Sequence, residues 1–358
     1  MKRVLLAMSG GIDSAVSAVL LQDQGYEVLG ATMRLRGAEG GRYGIHSGCF
    51  GPREPLNRQM LERVGEQLRI QILEADLSQS FENEVLNYYR ATYLQGRTPN
   101  PCVVCNQRLK FGLLPLALRN QGVEFDFYAT GHYARTRFSK ENGRWQLLKG
   151  RDALKDQSYF LCLLSSNQLS TTLFPLGELT KAEVRETARK RGLDFLLSQA
   201  ESQDFLSEED HPRLFAGAQI KAGDMIDPEG KVVGRHRGLI HYTIGQRRHL
   251  GLSGRPEPWY VIGFDTCRNS LRVGPQSFLY KDKLTVSSVN WVSAPPLSAT
   301  SRAETKIRFA HKPAPGTLRP LPDGSVEVTF DTPQMSVTPG QFAVFHDGDI
   351  LLGGGVIL

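Results

Sequence analysis

The feature that most constrains this chain is a glycine pair, Gly10 and Gly11, between an apolar run and an amphipathic stretch. The run at residues 4–6 predicts a buried strand, and a helical pattern begins near Ala15. Where a strand ends and a helix begins, backbone N–H groups lack partners and the positive end of the helix dipole faces the same point. Glycine has no Cβ, so a ligand approaches this backbone closely. The pattern predicts a phosphate-binding loop in an α/β fold.

The loop carries polar groups but no lysine at the Walker-A position. Ser9 and Ser14 offer hydroxyls, and Asp13 is suited either to cap the helix or to hold a metal ion. Without the lysine this is not the usual P-loop. The segment 9–14, Ser-Gly-Gly-Ile-Asp-Ser, resembles the PP-loop of ATP pyrophosphatases, which split ATP between the α and β phosphates and adenylate a substrate. A plain glycine-rich turn is the alternative interpretation.

The length and the pattern of elements predict three domains. At 358 residues the chain exceeds the size at which one hydrophobic core stops growing. Over residues 1–204, strand-like runs alternate with helical periodicity, which predicts an ATP-binding catalytic domain with a doubly wound parallel sheet. Later short strands separated by Pro and Gly predict a small β-rich connecting domain at 205–277 and a C-terminal β-barrel at 278–358.

The individual elements follow from the same periodicity. Strands are predicted at 4–8, 28–33, 70–74, 125–130, 223–226, 239–244, 259–264, 270–273, 284–291, 303–308, 325–330 and 341–345. Helices are predicted near 15–24, 56–68 and 81–93 and over about 165–197, especially 181–190. Ligands of such parallel sheets bind at the carboxyl ends of the strands. Residues 9–14, Met33 and the segment 130–132 all lie at such ends.

Charge and hydropathy bear on partners and location. The formal net charge is +6, which is compatible with a polyanionic partner. The stretch 235–249 contains four arginines, three histidines and no acidic residue, which fits either a nucleic-acid surface or a solvated face. The chain has no signal-peptide core and no apolar run long enough to span a bilayer. These features predict a cytoplasmic protein with no membrane partner.

The odd number of cysteines argues against a disulfide framework and for thiol chemistry where cysteines cluster. Only Cys102 and Cys105 cluster, in the proline-restricted segment 96–106. A CxxC pair serves as half of a zinc site, as an iron–sulfur ligand pair or as a redox dithiol, and no second soft pair is present to complete a structural zinc site. The other cysteines are Cys49, in a glycine-rich loop, and Cys162 and Cys267, whose apolar neighbours predict core positions.

Several segments in a fixed order carry a family resemblance. They are SGGIDS at 9–14, GRTPNPCVVCN at 96–106, ATGHY at 129–133, KDQSYFL at 155–161 and TIGQR at 243–247. Over essentially its full length the chain resembles the bacterial and mitochondrial tRNA-specific 2-thiouridylases. The resemblance implies an enzyme that adenylates the C2 oxygen of the wobble uridine with ATP, replaces it with sulfur, and releases AMP and pyrophosphate.

The resemblance also implies residue roles and partners. ATP with Mg²⁺ would be held by Ala7, Met8, Ser9, Gly10, Gly11, Ile12, Asp13, Ser14, Met33 and Gly131. The target base would lie near Asn100, Pro101 and Cys102, and tRNA would contact His132, Lys155, Asp156, Gln157, Arg308, Phe309 and Gln341. The partners would be a tRNA with a wobble uridine and a sulfur donor, whether a desulfurase, a relay protein or free sulfide. Taken alone, His132 also fits a hydrogen-bonded residue at a strand end, and Lys155 with Asp156 a surface salt bridge.

The sulfur-handling segments depart from the family's pattern. That pattern reads Pro-Asn-Pro-Asp-x-x-Cys-Asn, so Cys105 occupies the nucleophile position and Cys102 replaces the aspartate. A second family cysteine, the persulfide carrier, is missing from the segment 201–206. Leu206 takes its place in an ungapped alignment, and Asp204 does so if a gap is allowed.

Two alternative mechanisms would compensate for the missing persulfide-carrying cysteine. In the favoured one, Cys102, Cys105 and Asp204 bind a 4Fe–4S cluster whose remaining iron carries a hydrosulfide, since such clusters are held chiefly by thiolates. In the other, one cysteine of the pair carries a persulfide and the other resolves it as a disulfide. The predicted catalytic residues are thus Cys105, Cys102, Asp204 and Asp13.

Two further functions are weighed against the thiouridylase. One is another PP-loop ligase that adenylates a small carboxylate or citrulline, but it would not need the CxxC pair or the β-rich second half. The other is a tRNA-binding sulfur carrier that has lost catalysis, but the ATP loop keeps every polar position.

Overall fold

A computed structural model describes residues 1–35, 54–198, 205–207, 209–254 and 256–358. The strands are β1 (Arg3–Ala7), β2 (Glu27–Arg34), β3 (Ile72–Asp76), β4 (Phe127–Thr130), β5 (Ala134–Ser139), β6 (Arg144–Lys149), β7 (Thr172–Leu173), β8 (Gly223–Ile226), β9 (Val232–His236), β10 (Trp259–Asp265), β11 (Ser270–Pro275), β12 (Tyr280–Asn290), β13 (Ser301–Lys306), β14 (Ala314–Pro320), β15 (Val326–Met335), β16 (Phe342–Asp347) and β17 (Ile350–Ile357).

The α-helices are α1 (Ile12–Asp23), α2 (Glu54–Leu68), α3 (Ser78–Phe81), α4 (Asn87–Leu94), α5 (Pro101–Cys105), α6 (Leu114–Asn120), α7 (Ser166–Ser170) and α8 (Lys181–Lys190). Segments of π-helix at Glu82–Leu86 and Asn106–Leu113 join α3 to α4 and α5 to α6. Within the described ranges, no helix is both long and apolar enough to cross a membrane.

A five-stranded parallel sheet, in the order β3-β2-β1-β4-β7, lies at the centre of the first part of the chain. Its middle strand explains the apolar run at residues 4–6. Val4 and Leu6 pack on one face, in a cluster with residues of α1 and α8, while Leu5 packs on the other, in a cluster with residues of α3 and α6. Strands covered on both faces are uniformly apolar rather than alternating. The predicted doubly wound α/β fold is confirmed.

The predicted C-terminal barrel is also confirmed. Six antiparallel strands, β12-β15-β14-β13-β16-β17, close through pairing of β12 with β17. The hairpin β5–β6, which was not predicted, extends this sheet, because Ile350 and Leu351 of β17 pair with Leu148 and Leu147 of β6. The last strand of the barrel is thus joined by backbone hydrogen bonds to a strand that precedes it by about 200 residues. Between these two parts lies a smaller sheet with the order β10-β11-β8-β9.

The strand predicted at 239–244 is wrong. Leu239–His241 forms a 3₁₀ turn, and the carbonyl of Ile240 accepts a hydrogen bond from His211 Nε2 at 2.8 Å instead of pairing in a sheet. Gly238 enters the turn at φ 131°, a conformation that favours glycine. The apolar spacing came from a turn that packs inward, and short apolar runs do not distinguish the two. Cys267 is a second correction, because it is exposed rather than buried in a core. The helical stretch predicted at 165–197 is a third, because β7 and a turn separate α7 from α8.

Three strands of the second half, β9, β14 and β17, were not predicted. In β17 the glycine run at 353–355 reads as a break in the sequence but serves close packing in the barrel. A Cβ on Gly353 would lie 2.4 Å from the carbonyl oxygen of Asn290, and one on Gly355 would lie 2.4 Å from that of Ser287. Glycine inside a strand marks such approaches of two backbones.

Candidate active site

A cavity of about 590 Å³ opens at the carboxyl ends of β1, β2 and β4. Ten of its lining residues were predicted as site residues from the sequence: Ala7, Met8, Ser9, Asp13, Ser14, Met33, Gly131, His132, Gln157 and Cys105. Those that sequence reasoning missed include Thr32, Asn57, Arg58, Glu62, Glu74 and Lys110. The glycine-rich loop and the second cysteine of the CxxC pair therefore face one cavity.

The loop presents open backbone donors to this cavity. Gly10 has φ 82°, and a Cβ there would lie 2.7 Å from the carbonyl oxygen of Asn57 on α2. Gly11 is the N-cap of α1 and supplies no side-chain cap. Ser14 Oγ donates to the Gly11 carbonyl at 3.0 Å, which fixes the turn from within. The N-terminal N–H groups of α1 are thus left for a ligand, as a phosphate-binding loop requires.

Asp13 does not cap the helix. Its carboxylate accepts a hydrogen bond from Tyr133 Oη at 2.8 Å and both its oxygens contact Lys181 Nζ, at 2.8 and 2.9 Å. The Lys181 side chain is only 12% exposed, so the pair is partly shielded from solvent. Sequence reasoning missed Lys181. The capping box formed by Thr180 and Glu183 marks the start of α8, but nothing in the spacing connects α8 to Asp13.

The end of β4 closes the cavity beside the loop. A Cβ on Gly131 would lie 3.1 Å from the Ser14 backbone nitrogen, so glycine permits this approach. His132 is 8% exposed, and its Nδ1 lies 2.8 Å from Thr130 Oγ1. Burial, and then the charge of Lys110, hold the pKa of His132 well below its ordinary value, so the ring is neutral. The residue predicted to contact tRNA is placed in the cavity wall.

The CxxC pair lies at the start of a long helical segment. Asn100 is the N-cap of α5, where its Oδ1 accepts from the Val103 backbone N–H at 3.3 Å, and Pro101 follows at the first helical position. Val103 is fully buried, whereas both cysteines are partly exposed. Of the two, Cys105 lines the cavity.

Residues of the barrel form hydrogen bonds with the segment that leads into this helix. Gln341 Nε2 donates to the carbonyl oxygens of Thr98 and Pro99 at 3.2 and 2.9 Å, and Asn100 Nδ2 donates to Gln341 Oε1 at 3.5 Å. The Thr98 backbone N–H also donates to the Pro339 carbonyl at 2.9 Å. Gln341, predicted to contact tRNA, is here engaged by the CxxC segment itself.

The remaining predicted tRNA contacts divide between interior and surface. The buried Asp156 accepts from the Gly150 N–H at 3.0 Å and from Ser158 Oγ at 3.1 Å, so it does not form the surface salt bridge considered above. Lys155 is partly exposed, and the backbones of Gln157 and Tyr133 are hydrogen-bonded.

Arg308 and Phe309 lie on the loop that follows β13. The Phe309 ring is 40% exposed and packs against Phe160, with centroids 4.5 Å apart, and Lys306 Nζ lies 5.3 Å from its centroid. An exposed aromatic ring beside cations is the arrangement on which nucleic-acid bases stack.

The predicted third cluster ligand, Asp204, lies outside the described residues. Among the residues that the structure describes, no group of three His, Cys, Asp or Glu side chains is placed to hold a metal ion. The neighbouring Phe205 and Leu206 pack against the core that contains Phe81 and Tyr89. The described residues therefore give no support to the predicted cluster.

Three profiles of protein families match the chain. One described as "tRNA methyl transferase HUP domain" matches residues 2–206, one described as "tRNA methyl transferase PRC-barrel domain" matches 215–275, and one described as "Aminomethyltransferase beta-barrel domain" matches 281–357. The first alone covers more than half of the chain.

Curated relatives are similar over nearly the whole length. The "tRNA-specific 2-thiouridylase MnmA" of Geotalea uraniireducens is 44% identical over 99% of this chain and 95% of its own. Proteins with the same name from Endomicrobium trichonymphae and Trichormus variabilis are 42% and 41% identical, over 99% and 100% of this chain and 99% of each relative. The relatives' names specify sulfur chemistry, and a cysteine in the cavity suits that chemistry.

Proposed function

This chain belongs to the family of tRNA-specific 2-thiouridylases, and we propose that it uses ATP to replace the C2 oxygen of a tRNA wobble uridine with sulfur, in the cytoplasm. The observation that carries the proposal is the shared cavity, in which Cys105 faces the same space as the loop at residues 9–14. A ligase for a small carboxylate needs the loop but no thiol there. A sulfur carrier without catalysis needs the thiol but no phosphate site.

The cavity fits ATP. Its volume of about 590 Å³ lies in the range of ordinary ligand sites. The uncapped start of α1 and the approach allowed by Gly10 provide donors for phosphate oxygens. Met33 also lines the cavity, where an apolar side chain suits a base. Asp13 would supply a carboxylate of the kind that Mg²⁺ prefers, in exchange for its contact with Lys181, and the ion would offset phosphate charge.

Adenylation activates a poor leaving group. The uridine C2 oxygen attacks the α-phosphorus of ATP, the bond to pyrophosphate breaks, and the N3 proton passes to water. The loop at residues 9–14 offers N–H groups to the phosphates as charge shifts to pyrophosphate. His132 is neutral and lines the wall, so it adds no positive charge to this site.

Sulfur transfer follows at Cys105. A donor places a sulfane sulfur on Cys105, the terminal sulfur of this persulfide attacks C2, and the C2–O bond breaks to release AMP. The Cys102 thiolate then attacks Cys105 Sγ, which frees the thiolated uridine and leaves a Cys102–Cys105 disulfide that an external dithiol reduces. Residues three apart on a helix are neighbours, which suits Cys102 to this resolving role.

Exposed cations of the connecting region support tRNA as the partner. Arg237, Arg247 and Arg248 are exposed, and they extend the positive charge beyond Lys155 and Arg308. Cations of this kind bind the phosphate backbone without selecting a sequence. The sulfur donor is the second proposed partner.

The test is a reaction of the purified protein with ATP, persulfide donor and unmodified tRNA, in which AMP and 2-thiouridine are both measured. We expect equal amounts of the two products in a single turnover. AMP without thiouridine would indicate another ligase, and tRNA binding without AMP would indicate a carrier.

Iron and acid-labile sulfide, measured in protein purified without oxygen, decide between the two sulfur routes. Active protein without iron supports the Cys105 persulfide. Iron that is present in the wild type, lost in Cys102→Ser and required for thiolation would instead establish the cluster route.

A further inference from the structure

We propose that Lys110 holds the phosphate of the adenylated uridine and offsets the charge that develops on it as AMP leaves. The inference rests on the proposed function and assigns a further residue to its site. It starts from the π-helical segment that separates Lys110 from Cys105.

The π-helical segment places the two residues on one face. In an α-helix, residues three or four apart share a face, whereas five residues carry the chain well past it. In the segment Asn106–Leu113 the hydrogen bonds span five residues, as between the Leu114 N–H and the Leu109 carbonyl. Residues five apart therefore lie over one another. Cys105 and Lys110 are five apart, and both line the cavity.

Lys110 is fixed by its backbone. Tyr128 Oη donates to the Lys110 carbonyl oxygen at 2.5 Å, and burial raises the pKa of Tyr128, so the phenol remains a donor. The adjacent Leu109 and Phe111 are buried in the core. The backbone is therefore anchored on both sides, and only the Lys110 side chain reaches the cavity.

The charges of the lining point to an anionic partner. Arg58 also lines the cavity, but it is paired with Glu74. Among the described residues, no carboxylate lies within ion-pair distance of the Lys110 ammonium, which lies close enough to His132 to lower the pKa of that ring. His132 follows Gly131, which packs on the ATP loop. Lys110 therefore shares one cavity with the ATP loop and Cys105, within which the phosphate of an adenylated base would be held.

The chemistry at this point adds negative charge. When sulfur bonds to C2, the C2–O bond breaks and its electron pair passes to the phosphate oxygen of AMP. A cation fixed beside that oxygen stabilises the transition state more than the ground state. Lys110 needs no proton transfer for this role.

The experiment compares Lys110→Met, Lys110→Arg and Arg108→Met. Arg108 is the matched control, because it lies on the same π-helical segment but is 60% exposed and faces Glu84 at 3.9 Å. We expect single-turnover AMP release to fall about a hundredfold in Lys110→Met, the loss typical of one transition-state donor. Lys110→Arg should recover most of the rate, and Arg108→Met should stay within about twofold of wild type, as expected for an exposed surface cation.

Chemical rescue separates this role from a structural one. Lys110→Ala should regain activity when ethylammonium is added, whereas its tRNA affinity and unfolding midpoint should match those of wild type throughout. Wild-type AMP release in Lys110→Met, or an absence of both arginine and ethylammonium rescue, would overturn the inference while leaving the proposed function intact. If wild type itself forms no AMP with tRNA, the proposed function fails instead.

Discussion

The two halves of the cavity are held by contacts from different parts of the chain. In the ATP loop, Ser14 Oγ bonds the Gly11 carbonyl three positions away, and Asp13 pairs with Lys181 of α8, so these partners all lie in the first part of the chain. The segment before the CxxC helix is held from the barrel, where Gln341 reaches the Pro99 carbonyl across 242 positions. We therefore expect nucleotide binding to depend on the first part of the chain, and sulfur transfer to depend in addition on the docked barrel.

Cys105→Ser is expected to produce the largest difference between the two chemical steps, adenylation and sulfur transfer. The ATP loop stays intact, so pyrophosphate and adenylated tRNA should still form, while thiolation and the AMP release that accompanies it should fall by at least about a thousandfold, as when a nucleophile is removed. Mass spectrometry of digested tRNA measures the thiouridine. The exposed Cys267, changed to Ser, is the control and should leave thiolation unchanged. Retained thiolation in Cys105→Ser would remove Cys105 from the mechanism.

Gly10→Ala tests the half of the cavity that contains the ATP loop. The new Cβ would lie 2.7 Å from the Asn57 carbonyl oxygen in a residue at φ 82°, so strain of roughly 1–3 kcal/mol falls on the loop. Nucleotide titration should show ATP affinity weakened by up to about a hundredfold, with tRNA binding retained.

Gly25→Ala is the matched control for that loop variant. Gly25 also has φ 82°, but nothing lies within 4 Å of the position of its Cβ. It should lower stability without changing ATP affinity. Equal ATP affinity in Gly10→Ala and Gly25→Ala would contradict the close approach of the loop to α2.

Gln341→Leu tests the half of the cavity that the barrel supports. It leaves the Thr98 and Pro99 carbonyls without their donor, at a cost of about 1–2 kcal/mol. We expect thiolation to slow by about tenfold, because the CxxC segment loses its support, and ATP affinity to remain unchanged. Gln334→Leu removes an exposed amide elsewhere on the barrel and should affect neither. If Gln341→Leu lost ATP affinity by the same factor as it lost thiolation, the two halves would not be separable.

A smaller effect concerns acid stability of the barrel. Burial, followed by the charges of Lys149 and Lys306, lowers the pKa of His346 to about 3. Unfolded His takes up a proton below about pH 6.5 while the folded residue does not, so stability is lost as pH falls through this range. At pH 6 the loss is about 0.8 kcal/mol for this residue. Urea unfolding at several pH values should show a shallower acid dependence in His346→Leu, and parallel profiles would contradict the assignment.

Local patterns carried the prediction of the ATP half and much of the fold. The apolar run at residues 4–6 and the glycine pair specify strand, turn and helix by themselves, and β1 and α1 lie where they were expected. The interpretation failed at Leu239–His241, where a turn packs inward with the spacing of a strand.

Contacts between distant parts of the chain could not be predicted from sequence patterns. The sequence around Asp13 does not predict its contact with Lys181, which is 168 positions away. Lys110 was missed for another reason, because its place beside Cys105 depends on a π-helical segment that α-helical periodicity does not reveal.

The pairing of β6 with β17 has a consequence for synthesis on the ribosome. Leu148 emerges about 200 residues before Ile350, its partner, and at usual rates of translation this interval lasts roughly 10–40 s. During that time the β6 edge of the hairpin has no strand of the barrel to pair with, and unpaired edges are templates for pairing with another chain. A growing chain would hold a nucleotide-binding loop well before Gln341 arrives to support the sulfur segment, so the order of synthesis matches the order of the two chemical steps.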